Sequence, residues 1–273
     1  MPLIIQKVSD HGTGEPGVAR LTLQMHELIE WVALDKEKRD EVLEICYDLK
    51  DRLMNCQDIF DNLKQSLSKS EEDCKKEPQG KAVRVPYVID LETNAENFLY
   101  QAKNFLRDLT LILNIFYGTD FKEASEFFDA SGKADGKIVK WALEKFGKQD
   151  FVAQNLQQDQ TWIGKMIKKR NAVEHPGGYN GTLHIENCKF ENGKLILPAW
   201  FRDQSDASFV LEDMEVVLHN LLTMGEELII FGCFEKKLRT SMVGFQEIPE
   251  EKRRPECPIR FKAALINQSP RLD

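Results

Sequence analysis

Apolar residues recur at three- and four-residue intervals along most of this chain, the period of a helix with one face turned inward. Val42, Cys46, Leu49, Leu53, Cys56, Phe60, Leu63 and Leu67 keep that spacing over many turns and predict one long amphipathic helix. The polar stretch 68–81, "SKSEEDCKKEPQGK", reads as an exposed linker, and "VRVPYVI" after it as a short extended piece. Phe98, Ala102, Phe105, Leu109, Ile112 and Phe116 form a second stripe, with Thr93 and Glu96 reading as a capping box at its start and Gly118 as its stop. Two long helices with matching stripes predict an antiparallel pair. Beside the second stripe runs a polar row, Asn97, Gln101, Asn104 and Asp108, which either faces water or lines a groove.

Two shorter helices are expected near 120–129 and 137–147, divided by "ASGKADG", before a helix whose inward stripe is Trp162, Ile163, Met166 and Ile167. The pattern then changes. "TLHIENCKF" and "KLILPAWF" flank Asn192-Gly193, a pair that favours the positive φ of a tight turn, so a β-hairpin is expected at about 182–201. A last long helix is predicted from about Phe209 to about Lys237, with Val210, Met214, Val217, Leu221 and Leu228 inward. The tail, "EEKRRPECPIRFKAALINQ", reads as adding one strand to the hairpin. The expected fold is mainly α: an up-and-down bundle of about four main helices with a small antiparallel β insertion before the last. Along the chain this gives a flexible N-terminal segment (1–19), the bundle (20–240) and a C-terminal extension (241–273), with no internal repeat or low-complexity tract.

Composition narrows the function classes. With 42% hydrophobic and 30% charged residues in 273, the chain has the profile of a soluble globular protein. A formal net charge of −8 argues against a surface that binds nucleic acid everywhere, so any phosphate contact has to come from a local patch. Cysteines 46, 56, 74, 188, 233 and 257 contain no CxxC pair, and the opening is not that of a secretory signal, so a reduced, cytoplasmic protein is expected. The richest uninterrupted apolar runs, "LTLILNIFYG" and "ELIIFGCF", fall short of the roughly 20 residues that span a bilayer, and no membrane is expected.

The stretch "KKRNAVEHPGGYNG", 168–181, carries the candidate chemistry. At about 100° per residue, Arg170 falls on the inward stripe four residues after Met166, where a leucine belongs. A guanidinium there needs an anion: either Glu174 one turn on, as an internal ion pair, or a phosphate arriving with a ligand. Asn171 and His175 are one turn apart on the edge of the same face. Pro176 disfavours helical geometry at His175, and Gly177, Gly178 and Gly181 let the chain leave steeply. Lys165, Lys168 and Lys169 make this a basic helix end, either solvated or holding flanking phosphates.

Arg170-Asn171 followed by three residues and His175 resembles the Arg-x(4 to 6)-His signature of the HEPN superfamily of helical-bundle ribonucleases. The resemblance covers residues 20–240 in architecture and 170–175 in motif. It implies a metal-independent endoribonuclease of toxin or antiviral-defence type, with no cofactor, RNA as substrate, and a homodimer whose composite cleft joins two motifs. His175 would be the general acid/base, Arg170 would stabilise the phosphate, and Asn171 would orient one of them. Lys165, Lys168 and Lys169 would bind RNA phosphates, Asp108, Asn104 or Glu174 would be orienting residues beside His175, and an antitoxin or regulatory protein is a further partner. The alternative is a non-catalytic bundle of the same kind that binds a partner protein or a nucleotide.

Other residues read as structural. His184 and Cys188 lack a second pair of zinc ligands at useful spacing, so no metal site is expected. His219 reads as packed within the last helix, and Trp31, Trp141, Trp162 and Trp200 as core or interface anchors. Neither "GTGEPG" nor "GGYNG" has the spacing of a phosphate-cradling loop.

Overall fold

A computed structural model describes residues 11–76, 84–203 and 205–266. Residues 1–10 of the expected N-terminal segment and 77–81 of the expected linker lie outside the described residues. The chain is mostly helical. A short helix α1 (Pro16–Val18) widens into a π-helical turn, Ala19–Leu23, and continues as α2 (Gln24–Trp31). There follow α3 (Lys36–Lys76), α4 (Leu91–Tyr117), α5 (Lys137–Phe146), α6 (Phe151–Glu174) and, after the strands, α7 (Val210–Glu235). Among the described residues six helices have eight or more residues, where about four main and two shorter ones are expected: α2 is additional, and the segment before residue 20 is partly helical.

Every predicted inward residue of α3, α4 and α7 named above is buried. The boundaries depart where the local chemistry is weak. α3 runs on to Lys76 through "SKSEEDCKK", since a polar run without glycine or proline can continue a helix without any inward stripe to reveal it. α4 begins two residues before Thr93, which therefore lies inside the first turn and is not the cap; Asp90, at φ 57°, accepts the first bond from the Asn94 amide. Its end is at Gly118, φ 69°, as the glycine predicts. The helix expected near 120–129 is only a 3-10 turn, Ala124–Phe127, capped reciprocally by Glu123 and Glu126.

The Asn192-Gly193 turn is present with both φ values positive, joining β2 (Lys189–Glu191) to β3 (Lys194–Ile196). Beyond a break at 187–188 and 197–198, β1 (Leu183–Glu186) pairs with β4 (Ala199–Arg202) in the same register. β5 (Ser208–Phe209) extends that pair to three strands in the order β1-β4-β5. The tail does not join the hairpin: β6 (Val243–Glu247) and β7 (Phe261–Leu265) form their own antiparallel pair. Strand partners so far apart in sequence are chosen by tertiary packing, which a local pattern does not encode.

The chain divides into two compact units, and each of α3, α4 and α7 contributes to both. The first holds residues 11–54, 111–120 and 222–266. Within it α2 and β7 meet through Gln24, whose Oε1 accepts from the backbone amides of Arg260 and Phe261 at 2.6 and 2.7 Å. The fully buried Glu226 accepts from Gln24 Nε2 and Arg260 Nη1 at 2.8 Å each, and also pairs with Arg20. An acid inside the most apolar helix is stable because three donors meet it. By length and composition alone α7 passes as a membrane span, yet 61% of its most apolar stretch is buried inside the protein, as in a core helix.

The second unit holds residues 55–76, 84–110 and 121–221, and contains the helix end described next.

Candidate functional site

α6 starts at Asp150, whose side chain accepts from the Val152 amide at 2.9 Å, and ends at His175, where φ −131° and ψ 70° leave the helix as Pro176 requires. Ile163, Gly164, Met166, Ile167 and Ala172 are buried along its inward face. Gly164 sits there because a Cβ would lie 3.0 Å from the Phe128 ring. Arg170 continues that face: its side chain keeps only 12% of its exposure, against 74% for His175.

The Arg170 guanidinium packs 4.7 Å from the centre of the Tyr100 ring on α4 and is ion-paired with Glu174. Burial pulls its pKa below the usual arginine value, against the opposing influence of Tyr100 and Glu123. Its Nε is buried without a hydrogen-bond partner among the described residues. The Asn171 Oδ1 lies 3.5 Å from Arg170 Nη1 and 3.5 Å from Lys103 Nζ, the outer limit of a hydrogen bond in both cases. Lys103 is half-buried, and burial together with the charges of Arg170 and Arg107 holds its pKa below the ordinary lysine value, with Glu123 opposing. The Glu174 oxygen that meets Arg170 is also 3.7 Å from His175 Nε2. Arg170, Asn171, Glu174 and His175 therefore form one cluster.

The glycines after Pro176 fold into successive turns: the Gly178 amide donates to the His175 carbonyl at 3.0 Å, and the Gly181 amide to the Gly178 carbonyl at 2.9 Å. A Cβ at Gly178 would stand 3.0 Å from that His175 oxygen, so the small residue lets the loop close against the motif. Tyr179 at the tip is exposed.

The expected lysine patch separates by direction. Lys165 is exposed, and Lys168 lies 5.9 Å over the Phe128 ring. Lys169 is not an open phosphate ligand: its ammonium pairs with Asp213, donates to Ser208 Oγ at 2.9 Å and sits 4.4 Å over the Trp200 ring. Asp213 also accepts from Trp200 Nε1 at 2.6 Å and Ser208 Oγ at 2.5 Å, so this lysine ties α6 to β4, β5 and α7. Along the polar row of α4, Asn97 is exposed, Gln101 and Asn104 are half-buried, and Asp108 is buried. Arg107 donates to Asp108 at 2.9 Å, and the carboxylate beside His175 is that of Glu174.

Lys103 and Tyr100 escape a reading of the sequence. Their signal is the three-four spacing Tyr100, Lys103, Arg107 on the flank of the polar row. His219 is exposed and not packed, whereas Trp200 is a core residue at 1% exposure. His184 stacks on Phe201 with ring centres 5.1 Å apart. All six cysteines are free, and no group of three or more metal-ligating side chains occurs among the described residues. No family model, curated protein or solved structure matches the chain.

Proposed function

We propose that this chain is a metal-independent endoribonuclease that cuts RNA at the end of α6, with its long helices arranged as an up-and-down bundle. The observation that carries the reading is an exposed imidazole, His175, beside a mostly buried guanidinium, Arg170, whose paired carboxylate, Glu174, is partly exposed. In the reaction His175 takes the proton from a ribose 2′-hydroxyl, and the 2′-oxygen attacks the adjacent phosphorus. Arg170 offsets the charge that grows on the phosphoryl oxygens, with Asn171 orienting the guanidinium. The bond from phosphorus to the 5′-oxygen breaks, leaving a 2′,3′-cyclic phosphate and a leaving oxygen that needs a proton. One imidazole serves one end of that transfer, so a homodimer joining two copies of the motif in a composite cleft supplies the second. DNA, lacking the nucleophile, is not cut. The toxin or defence role, and restraint by an antitoxin or regulatory protein, follow from the resemblance of the Arg170–His175 motif.

A second reading has its own support. Arg170 already has an anion, Glu174, within a single chain. That arrangement suits a non-catalytic bundle in which the pair is structural and the helix end binds a partner protein or a nucleotide.

The test is incubation of a structured RNA mixture with the purified protein in excess EDTA, beside His175→Ala and Arg170→Ala. Cleavage that both substitutions abolish supports the nuclease. A folded wild-type protein that leaves the RNA intact favours the binding module.

A further inference from the structure

We propose that Lys103 is a second phosphate-binding cation of this site, gripping with Arg170 one phosphodiester group of the RNA while Asn171 spaces the two. The proposal rests on the ribonuclease reading of the same helix end, and adds a residue on a different helix that the motif does not contain.

Three observations point to it. Lys103 Nζ and Arg170 Nη1 approach the same oxygen, Asn171 Oδ1, at 3.5 Å each, which brings two cations to within two hydrogen-bond lengths of one another. Both contacts are long, and Arg170 Nη1 already has Glu174 as its nearer acceptor, so the neutral amide holds Lys103 only loosely. Second, both cations are partly withdrawn from water, where like charges repel more strongly than at an open surface. Arg107, on the same flank of α4, adds to that repulsion, while Glu123 offsets part of it. Third, Arg170 Nε is buried with no hydrogen-bond partner among the described residues, so the guanidinium retains unused donor capacity. A tetrahedral anion that displaces Glu174 answers the first two: its several oxygens accept from both cations together, and its charge offsets their repulsion. The ring of Tyr100 packs against Arg170, and Lys103 follows Tyr100 by three residues, so one face of α4 carries both the ring and the second cation.

The experiment measures binding of a short 2′-O-methyl oligoribonucleotide, which has phosphates but no free 2′-hydroxyl to be cut, over a range of salt concentrations. Lys103→Met keeps the length of the side chain and removes the charge. The expected result is affinity lower by about tenfold for loss of one charge-assisted contact, and a slope of log affinity against log salt smaller by about 0.7. Lys103→Arg restores both. Unchanged affinity and slope in Lys103→Met overturns the proposal, as does a wild-type protein that binds no oligonucleotide. A loss that Lys103→Arg does not recover assigns the side chain to packing and also overturns it. Binding that depends on Lys103, in a protein that cleaves no RNA, leaves the phosphate grip standing and removes the nuclease reading. Cleavage that is indifferent to Lys103 does the reverse.

Discussion

Arg170 and Glu174 form an ion pair in the last turn of α6, and the oxygen that completes it is the one nearest His175, at 3.7 Å from Nε2. In the proposed reaction a phosphoryl oxygen has to occupy the same place between guanidinium and imidazole. On that proposal Glu174 holds the place of the substrate anion and has to move aside before RNA binds. Glu174→Gln keeps the shape and removes the competing charge. RNA affinity should rise by about threefold, the scale of a partly exposed ion pair, with thermal stability lowered only slightly. Titration of labelled RNA into wild-type and variant protein measures it; weaker binding by the variant would place Glu174 among the groups that support the site.

Lys169 should behave differently from the other lysines of the run, because its partner is Asp213 and not solvent. Burial raises the Asp213 pKa, but the bonds from Lys169, Ser208 and Trp200 outweigh it and hold the carboxyl below its ordinary value. An acid with a lowered folded pKa stabilises the fold above its unfolded pKa, near 3.9, and that contribution is lost as pH falls through the folded value. The difference in stability between wild type and Asp213→Asn should therefore be level near neutrality and shrink in the acid range, as read by urea titrations at several pH values. At neutral pH, Asp213→Ala should cost about 2 kcal/mol by leaving Lys169 and the Trp200 indole unpaired.

Glu226 organises the other unit. Removing it leaves Arg20 and Arg260 without their buried counter-charge, so Glu226→Ala should destabilise the protein by about 3–5 kcal/mol. A chemical-denaturation midpoint close to the wild-type value would show that water reaches the two arginines. RNA binding by whatever protein remains folded should be unchanged.

Gly232 tests packing against propensity. Alanine is the better helix former by about 1 kcal/mol, yet a Cβ at this position would lie 2.4 Å from the Phe116 ring. Gly232→Ala should nonetheless destabilise by about 1–3 kcal/mol, as overpacking does, and calorimetric melting would reveal the sign.

Much of the helical framework was legible because its signal is local and periodic. The α3 stripe from Val42 to Leu67 is buried at every predicted position, and Asn192-Gly193 makes its turn where two positive φ values are needed. Arg170 also falls where the spacing puts it, on the buried face of α6. What escaped is non-local. The periodicity of α6 does not say that Tyr100 and Lys103 of α4 will face Arg170, because one helix's spacing carries no information on its neighbour. Lys168 and Lys169, adjacent in a basic run, look alike in sequence and diverge only once Phe128 and Asp213 are in place. The polar end of α3 shows no inward stripe to distinguish it from a linker, and β6 finds β7 across an intervening loop whose length hides the pairing.

In the proposed reaction the ribose 2′-hydroxyl is the nucleophile and His175 moves its proton. The most direct measurement maps a cut site on one RNA in excess EDTA, then repeats the reaction with a single 2′-deoxy residue on the 5′ side of that bond. The expected result is a 2′,3′-cyclic phosphate end on the cleaved RNA, no cleavage at the deoxy-substituted bond, and none anywhere with His175→Ala. Cleavage that persists at the deoxy position, or in the His175→Ala protein, would contradict it.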